Sequence, residues 1–369
     1  MSTISICFIA IFIQENHYVY ELAKRLSEAG YKIDIICGRW EPSVPQINNR
    51  NLRIHYIDSV NSFNYGKKAL FKLLEIGIRP DVIHGSDIFY YSLIRQIPFT
   101  VRFVGTIHNS YRQRFQAAEW VRKPIYIPLM MRERRVCLDS HAIIVPSPNT
   151  KEALQRYGVP NHKIHTIFYG VDTKVFSPKK RGRLRKRLHL SDEPIILFVG
   201  RLVQRKHPES LLTALSSILI FMPKAQIVFI GDGKLKNKLI QKNIQNRLQN
   251  VHFIGNVNPM DMPEYYGDAD IFFLQSFGEG LPFVLLEAAA SELPLIVSGD
   301  ATGGTSIVRN GYNGFIIDTA EPRKISQCIV AAFKSKNQFG SRSRNIVRRD
   351  FTWDICLTKT VDVYRQILK

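Results

Sequence analysis

Residues 270–290 of the chain have the sequence DIFFLQSFGEGLPFVLLEAAA, and their pattern indicates the fold class. It begins with a short apolar run, residues 271–274, of the kind that forms a fully buried parallel strand. A turn with two glycines follows, and Pro282 then marks the first turn of a helix. A strand joined to a helix by a glycine turn is the repeating unit of a parallel sheet covered by helices. The stretch therefore predicts an α/β fold.

The same alternation of strand and helix fills the first half of the chain. Apolar residues at helical spacing predict helices over residues 18–29 and 150–157, and each stops beside a glycine. Short apolar runs predict strands at residues 4–13, 32–37, 53–57, 82–84, 101–107 and 142–145. This order of elements predicts one doubly wound parallel sheet.

A second cycle begins after a break at residues 178–194, which contains two prolines and a basic run. The sequence predicts a helix over residues 208–221. It predicts strands, each followed by a helix, at residues 195–199, 226–230, 251–254, 271–274 and 295–297. We therefore predict an α/β fold class with two doubly wound Rossmann-like domains facing a cleft. Ligands are expected beyond the carboxyl ends of the strands.

The domain boundary is expected near residue 175. The first domain then comprises residues 1–175 and the second comprises residues 176–350. Residues 351–369 form a last helix, predicted over Trp353 to Leu368, and the sequence leaves open whether it crosses back to the first domain.

The composition is ordinary except for its charge. The chain has 369 residues, of which 45% are hydrophobic, and 51 Lys and Arg against 31 Asp and Glu give a net charge of +20. Such a balance favours anionic partners: nucleic acid, an anionic membrane surface or phosphorylated small molecules. The five cysteines show no Cys-x-x-Cys spacing, so neither a disulfide framework nor a zinc site is predicted. The first apolar run, residues 4–13, is too short to span a bilayer, and we expect neither a signal peptide nor a transmembrane helix.

Two glutamates flank the start of the helix in the opening stretch. The amides of Gly280 and Leu281 are expected to form an anion site at the helix N-terminus, with Glu279 at its mouth. Glu287, further along the helix, is within reach of a diol. The alternative is that both are solvated glutamates near a helix end, where acidic residues are common in any case.

Other polar residues follow predicted strands. Arg201 and Lys206 straddle the turn after residues 195–199 and can neutralise a diphosphate, although two solvated cations are the simpler interpretation in so basic a chain. A Gly231-Asp232-Gly233 turn follows the next strand. In the first half, three polar residues stand at strand ends: His84, His108 and Ser147. A lone histidine there is more often structural than catalytic.

The stretch around residues 279–287 resembles the E-x7-E motif of the retaining, GT-B-fold group 1 glycosyltransferases, known as glycosyltransferase family 4. The resemblance covers about residues 1–365 and is most specific in the second half. It implies that Glu279 lies against the donor sugar and that Glu287 holds the ribose hydroxyls. It also implies that amides near Leu281 hold the diphosphate.

The same resemblance gives roles to three further residues. It implies that Arg201 and Lys206 neutralise the diphosphate leaving group and that His108 lies against the donor sugar. The catalytic set is then Glu279, His108, Arg201 and Lys206, and the donor-binding set is Arg201, Lys206, Gly280, Leu281 and Glu287.

The chain departs from the family pattern at several positions. Residues 13–16, Ile-Gln-Glu-Asn, stand where the family has Gly-Gly after the first strand. Tyr169 replaces the Asn of an Asn-Gly-Val-Asp segment, and Lys234 replaces a Pro. Ser306 stands in place of a common Glu, and Gln275 in place of a Pro.

The resemblance implies an enzyme that transfers a hexose-type sugar, with retention, from a nucleoside diphosphate-sugar to a hydroxyl of a lipid-linked or polysaccharide acceptor. The nucleotide-sugar is a co-substrate, and neither a further cofactor nor a metal is expected. The implied location is the cytoplasm, with peripheral attachment to the inner face of the membrane as an option.

Two basic clusters bear on that attachment. Residues 95–135 hold nine cations against two carboxylates, interleaved with large apolar side chains, a pattern that suits an anionic membrane surface. The run at residues 179–187 has the same charge, although a solvated linker explains it equally well.

Two other functions stay open at this point. A nucleotide-sugar epimerase, a phosphorylase or another enzyme could use the same two-domain fold. A basic nucleic-acid-binding protein is the third hypothesis, but no nucleic-acid-binding module is visible and the glycine turns would have no explanation, so nucleic acid is not an expected partner.

Overall fold

The computed structural model describes residues 4–12, 17–39, 49–57, 64–116, 123–179, 182–299, 303–318 and 320–369. The chain forms two compact units. The first comprises Met1–Tyr169 together with Trp353–Lys369, and the second comprises Gly170–Thr352. The division thus precedes the predicted boundary at residue 175. The Gly-Gly departure at residues 13–16 lies outside the described residues, as do residues 117–122 and 180–181 of the two basic clusters.

The first unit contains a parallel sheet that has seven strands within the described residues, in the order β3-β2-β1-β4-β5-β6-β7. The strands are apolar because helices cover both faces of the sheet, which also explains why the sequence predicted all but the last of them. Their bounds are β1 Ser5–Phe12, β2 Lys32–Arg39, β3 Leu52–Tyr56, β4 Val82–Ser86, β5 Arg102–Thr106, β6 Ala142–Val145 and β7 Ile164–Thr166. The helices of this unit that precede the second unit in the chain are α1 His17–Glu28, α2 Tyr65–Glu75, α3 Tyr91–Gln96, α4 Tyr111–Gln116, α5 Lys123–Asp139 and α6 Pro148–Gln155.

The second unit contains a parallel sheet that has six strands in the described part of the chain, in the order β10-β9-β8-β11-β12-β13. The strands are β8 Ile195–Val199, β9 Gln226–Ile230, β10 Val251–Gly255, β11 Ile271–Leu274, β12 Leu295–Ser298 and β13 Gly314–Ile317. The helices are α7 Arg183–Leu188, α8 Pro208–Phe221, α9 Lys236–Gln245, α10 Met262–Asp268, α11 Phe283–Ala290, α12 Pro322–Lys334 and α13 Lys336–Asp350. The predicted α/β fold class with two Rossmann-like domains is confirmed.

Two predictions about the second unit are wrong. The expected break at residues 178–194 contains α7, which has no apolar periodicity. It forms because the carboxylate of Asp268 accepts the backbone amides of Gly182, Leu184 and Arg185, and because Leu184 is fully buried. Between β12 and β13, the described residues contain no α-helix. A 3-10 turn, Gly303–Ser306, stands there instead, since Gly303 packs against the backbone of Gly280 and donates to the carbonyl of Glu279.

The last helix, α14 Trp353–Leu368, returns to the first unit and packs against α1 and β5. The hydroxyl of Tyr364, which is fully buried, lies 2.5 Å from Nδ1 of His84 on β4. The other ring nitrogen of His84 lies 2.6 Å from the hydroxyl of Thr106 on β5. A buried chain of three polar groups therefore attaches the last helix to the centre of the first sheet.

We predict that Tyr364→Phe lowers the stability of the first unit by about 1 to 3 kcal/mol, because it leaves Nδ1 of His84 buried without its partner. Chemical denaturation followed by tyrosine fluorescence and circular dichroism measures the change. Tyr56→Phe, at a side chain that is 46% exposed, is the matched control. Equal stability of the two variants would contradict the attachment.

Candidate functional site

The turns after β8 and β9 pack backbone against backbone at the carboxyl edge of the second sheet. Gly231 has φ +123°, and an added Cβ would collide with the carbonyl oxygen of Gly200. A Cβ on Gly233 would likewise meet the carbonyl of Leu202, whose own amide donates to the carbonyl of Asp232 at 2.8 Å. The prediction of a tight Gly-x-Gly turn is confirmed. Its glycines allow the segment after β8 to lie close to the segment after β9.

A buried ion cluster links the turn after β8 to the turn after β11. Nζ of Lys206 lies 2.7 Å from Oε1 of Glu279, and Nη1 of Arg205 lies 2.9 Å from the same oxygen. The amide of Phe277 donates to the carbonyl of Arg205 at 3.0 Å, which holds the two turns together. The side chains of Lys206 and Glu279 are only 10% and 11% exposed. The sequence predicted both residues for one site, and the structure brings them together.

Burial and charge act in opposite directions on this pair. Burial raises the pKa of Glu279, but the cations Lys206 and Arg205 outweigh it, so that the pKa lies below its ordinary value. Burial lowers the pKa of Lys206, and Glu279 only partly opposes that effect. Two neighbouring cations, Arg205 and Arg201, lower it further. The carboxylate is therefore ionised at neutral pH, in a region with an excess of positive charge.

Arg205 is a site residue that the sequence analysis missed. The sequence predicted Arg201 and Lys206 as the cations of the site. In the structure, Arg205 and Lys206 contact Glu279, whereas the side chain of Arg201 is exposed. Adjacent cations look alike in a sequence, so only the contact with Glu279 distinguishes them. Arg201 is nevertheless near enough to Lys206 to lower its pKa, so it stays next to the cluster.

Glu287 lies on α11 and meets a tyrosine from α10. The hydroxyl of Tyr266 donates to Oε2 of Glu287 at 2.8 Å, and the ring of Tyr266 is fully buried. Burial raises the pKa of Glu287 to about 7, against the opposing effect of this hydrogen bond. The carboxyl group of Glu287, including the oxygen that Tyr266 does not contact, therefore changes charge near neutral pH.

The position of the helix start differs from the prediction. The N-cap of α11 is Pro282, so the helix begins at Phe283. Gly280 and Leu281 precede the cap, and the amides of the first turn belong to Phe283 and Val284. The reason is local: Pro282 has φ −69° but an extended ψ of 125°, which excludes it from the helix. An anion at this terminus would meet Phe283 and Val284 first.

In the first unit, His108 is surrounded by polar partners. Its Nδ1 lies 2.5 Å from the hydroxyl of Tyr169, and its Nε2 lies 3.0 Å from the hydroxyl of Ser86. Its backbone amide donates to Oδ1 of Asp87 at 3.2 Å. Burial lowers the pKa of His108, so the ring is neutral at neutral pH. In the sequence, Tyr169 stands out only as a departure from the Asn of the family pattern. In the structure, its hydroxyl is a partner of His108.

The other two polar residues that the sequence singled out in this unit, His84 and Ser147, have structural partners. Burial lowers the pKa of His84 to about 3, and both of its ring nitrogens have the partners described above. Ser147 is the N-cap of α6, where its hydroxyl accepts the amide of Thr150 at 3.2 Å.

In the described parts of the chain, no three His, Cys, Asp or Glu side chains gather in a group that could hold a metal ion. Among the same residues, no helix combines the length and the apolar character that crossing a membrane would need.

The fold is that of a two-domain α/β protein of the GT-B class. Residues 180–347 match the model of the glycosyl transferases group 1, and residues 16–175 match that of Glycosyltransferase Family 4. The chain belongs to the group 1 glycosyltransferases of family 4.

Individual relatives agree with this assignment. Spore coat protein SA of Bacillus subtilis is 29% identical over 321 residues, which cover 81% of this chain and 80% of that protein. D-inositol 3-phosphate glycosyltransferase of Thermobispora bispora is 23% identical, over 96% of this chain and 90% of the relative. The structure of sucrose-phosphate synthase from Thermosynechococcus elongatus superposes with a TM-score of 0.84 at 23% identity, covering 99% of both chains. That likeness shows the fold.

We predict that Glu287→Gln stabilises the protein at alkaline pH and much less at acidic pH. The folded state raises the pKa of Glu287 from its ordinary value to about 7. Glu287 therefore binds its proton more tightly in the folded state than in the unfolded state. The protein loses stability as the pH rises from the pKa of Glu287 in the unfolded chain through its folded pKa of about 7. The gap between variant and wild type should grow by on the order of 2 kcal/mol between about pH 5 and pH 8.

Denaturation at each pH, with Glu264→Gln on α10 as the control, measures this gap. A gap that is independent of pH would show that Glu287 does not titrate in this range.

Proposed function

We propose that the protein is a retaining glycosyltransferase that moves a hexose from a nucleoside diphosphate-sugar to a hydroxyl of a lipid-linked or polysaccharide acceptor. The ion cluster of Lys206, Arg205 and Glu279 carries the proposal, because it holds an ionised carboxylate beside cations at the carboxyl edge of the second sheet. Glu287 lies on the helix that follows the same turn.

The relatives support a nucleotide-sugar donor without selecting its base. A GDP-mannose-dependent mannosyltransferase of Mycobacterium tuberculosis is 29% identical over 209 residues, which are 53% of this chain and 54% of the relative. HepE of Anabaena, solved with UDP-glucose, superposes with a TM-score of 0.77 at 15% identity. The two differ in nucleotide base, so UDP- and GDP-sugars are both candidate donors.

In the proposed reaction, Lys206 and Arg201 neutralise the diphosphate as its bond to the anomeric carbon breaks. The acceptor oxygen bonds to that carbon on the same face, and the departing phosphate takes the hydroxyl proton. No protein nucleophile is needed. Retention is read from the anomeric coupling of the product by NMR, and an inverted product would exclude this path.

The proposed roles of the acidic residues follow from their surroundings. Glu279, ionised between two cations, lies against the donor sugar. Glu287, whose pKa is near 7, accepts the ribose hydroxyls in its ionised form. Gly280 and Leu281 let the diphosphate approach the start of α11. No cofactor beyond the nucleotide-sugar is proposed.

His108 has a conditional role in this scheme. Because Tyr169 and Ser86 occupy its two ring nitrogens, contact with the donor sugar requires one of these hydrogen bonds to exchange for a sugar hydroxyl. Tyr169 is then a positioning residue for His108.

The surface of α5 favours a membrane-bound acceptor and peripheral attachment at the inner face. Three large apolar side chains on this helix are exposed: Ile125 by 65%, Ile127 by 52% and Met131 by 58%. Arg134 and Arg135 on the same helix are exposed as well. Apolar side chains beside cations suit an anionic lipid surface.

A nucleotide-sugar epimerase is the second candidate, since the fold alone would permit it. Consumption of the donor in the absence of any acceptor would favour it.

We expect selective binding of one class among UDP-, GDP- and ADP-sugars, measured by thermal shift or saturation transfer. The assay is best run at about pH 8, where Glu287 is ionised. Glu287→Ala should abolish the binding, because the ribose hydroxyls lose their acceptor, and Glu264→Ala should not. Failure of every nucleotide-sugar to bind would contradict the proposed function.

We expect full activity in excess chelator, because Lys206 and Arg201 supply the positive charge that a metal ion supplies elsewhere. The measurement is release of nucleoside diphosphate from the donor that the panel identifies, with and without EDTA. Activity that is lost in EDTA and restored by a divalent ion would overturn metal independence.

We expect Ile127→Glu with Met131→Glu to weaken binding to vesicles that contain phosphatidylglycerol by about tenfold or more, because two apolar contacts are replaced by like-charged repulsion. Phe221→Glu, at an exposed side chain of the second unit, is the control. Vesicle binding that does not depend on anionic lipid, or that survives both substitutions, would count against this surface.

A further inference from the structure

A basic pocket lies on the second unit, away from the ion cluster. It has a volume of about 630 Å³ and lies between α7 and the segment that runs from the end of β10 into α10. Its lining includes Arg183, Lys186 and Arg187 on one side and Asn258, Asp261 and Tyr265 on the other.

The three cations share one face of α7 because they stand at positions i, i+3 and i+4. Arg183 pairs with Asp261 at 2.5 Å, and Arg187 donates to the hydroxyl of Tyr265 at 3.1 Å. Asp261 is the single carboxylate among the lining residues, so two positive charges remain in excess.

The cations at residues 183–187 are therefore divided between two roles. Arg185 is structural: it pairs with Asp270 at 3.0 Å and donates to the carbonyls of Ser191 and Glu193. Arg183, Lys186 and Arg187 line the pocket instead. Asp261 offsets one of these three charges, and the remaining like charges on one helix face destabilise α7 unless a further anion lies beside them.

Asn258 adds a hydrogen-bond donor. Its Oδ1 accepts the amide of Met260 at 3.0 Å, so its remaining polar group is an NH₂ that can only donate. Cations, an amide donor and a tyrosine hydroxyl are together the groups that bind phosphate oxygens.

The pocket is distinct from the proposed donor site. Two consecutive tyrosines of α10 separate them: Tyr265 contacts Arg187 in the pocket, whereas Tyr266 contacts Glu287. Successive residues of a helix point about 100° apart, so the two sites use different faces of α10.

We propose that this pocket is a second anion site, which binds a phosphate-bearing ligand of about two negative charges. The ligand is either a free phosphorylated small molecule or the headgroup of an anionic lipid. The site does not depend on the reaction that the enzyme catalyses.

The test uses inorganic pyrophosphate as the probe, titrated by calorimetry at fixed ionic strength into three proteins. These are the wild type, a pocket variant with Lys186→Ala and Arg187→Ala, and a control variant with Arg323→Ala and Lys334→Ala. The control loses the same charge from exposed positions on α12. We expect at least about tenfold weaker binding in the pocket variant alone.

Hydrogen exchange read by mass spectrometry locates the probe. Pyrophosphate should slow exchange in peptides that cover residues 183–189 and 256–265. Protection confined to the turns at residues 200–206 and 276–285 would place the probe in the donor site and overturn the proposal, as would equal binding by the pocket and control variants.

Vesicles of phosphatidylcholine with and without phosphatidylglycerol then distinguish the two sources. If the pocket variant loses pyrophosphate binding but keeps vesicle binding at the level of the control, the ligand is a free phosphorylated molecule. If it loses both, the ligand is a lipid headgroup.

Discussion

The ion pair between Lys206 and Glu279 is the interaction on which the candidate site of the second unit depends. Burying either charge without an opposite charge beside it would cost several kcal/mol, and Glu279 has two cationic partners, Lys206 and Arg205. The pair joins segments that follow two different strands of one sheet, and the hydrogen bond between Phe277 and Arg205 joins their backbones. The turns are thus fixed to each other before any ligand arrives, which is the condition for electrostatic stabilisation of a leaving group.

The glycines around this pair serve the same end. Gly231 and Gly233 let the turn after β9 approach the turn after β8 more closely than any side chain would allow. Gly303 does the same for the segment that contacts Gly280. Close backbone approach and a paired buried charge together make a rigid edge. Glu287, by contrast, has its pKa near 7 and remains responsive to pH.

The sequence predicted the fold well because parallel strands covered on both faces appear as continuous apolar runs. It missed β7 and β13, which have only three and four residues, and it missed α7, which depends on a distant carboxylate. It placed Lys206 and Glu279 in one candidate site, and the structure brings them together, but it did not show which further cation would contact Glu279, since Arg201 and Arg205 are equivalent until the chain is folded. Tyr169 could not be paired with His108 from spacing alone, because the two residues lie on different segments.

The return of α14 makes the first unit discontinuous in the chain. The outgoing and returning segments lie side by side, since Val171 forms a parallel bridge with Thr352 and its amide donates to the carbonyl of Phe351. During synthesis on the ribosome, the second unit can finish folding before Tyr364, the partner of His84, has been translated. Most of the first unit is translated before the second, yet the first unit is completed last. Nascent chains that stall before residue 353 expose the apolar surface that α14 covers.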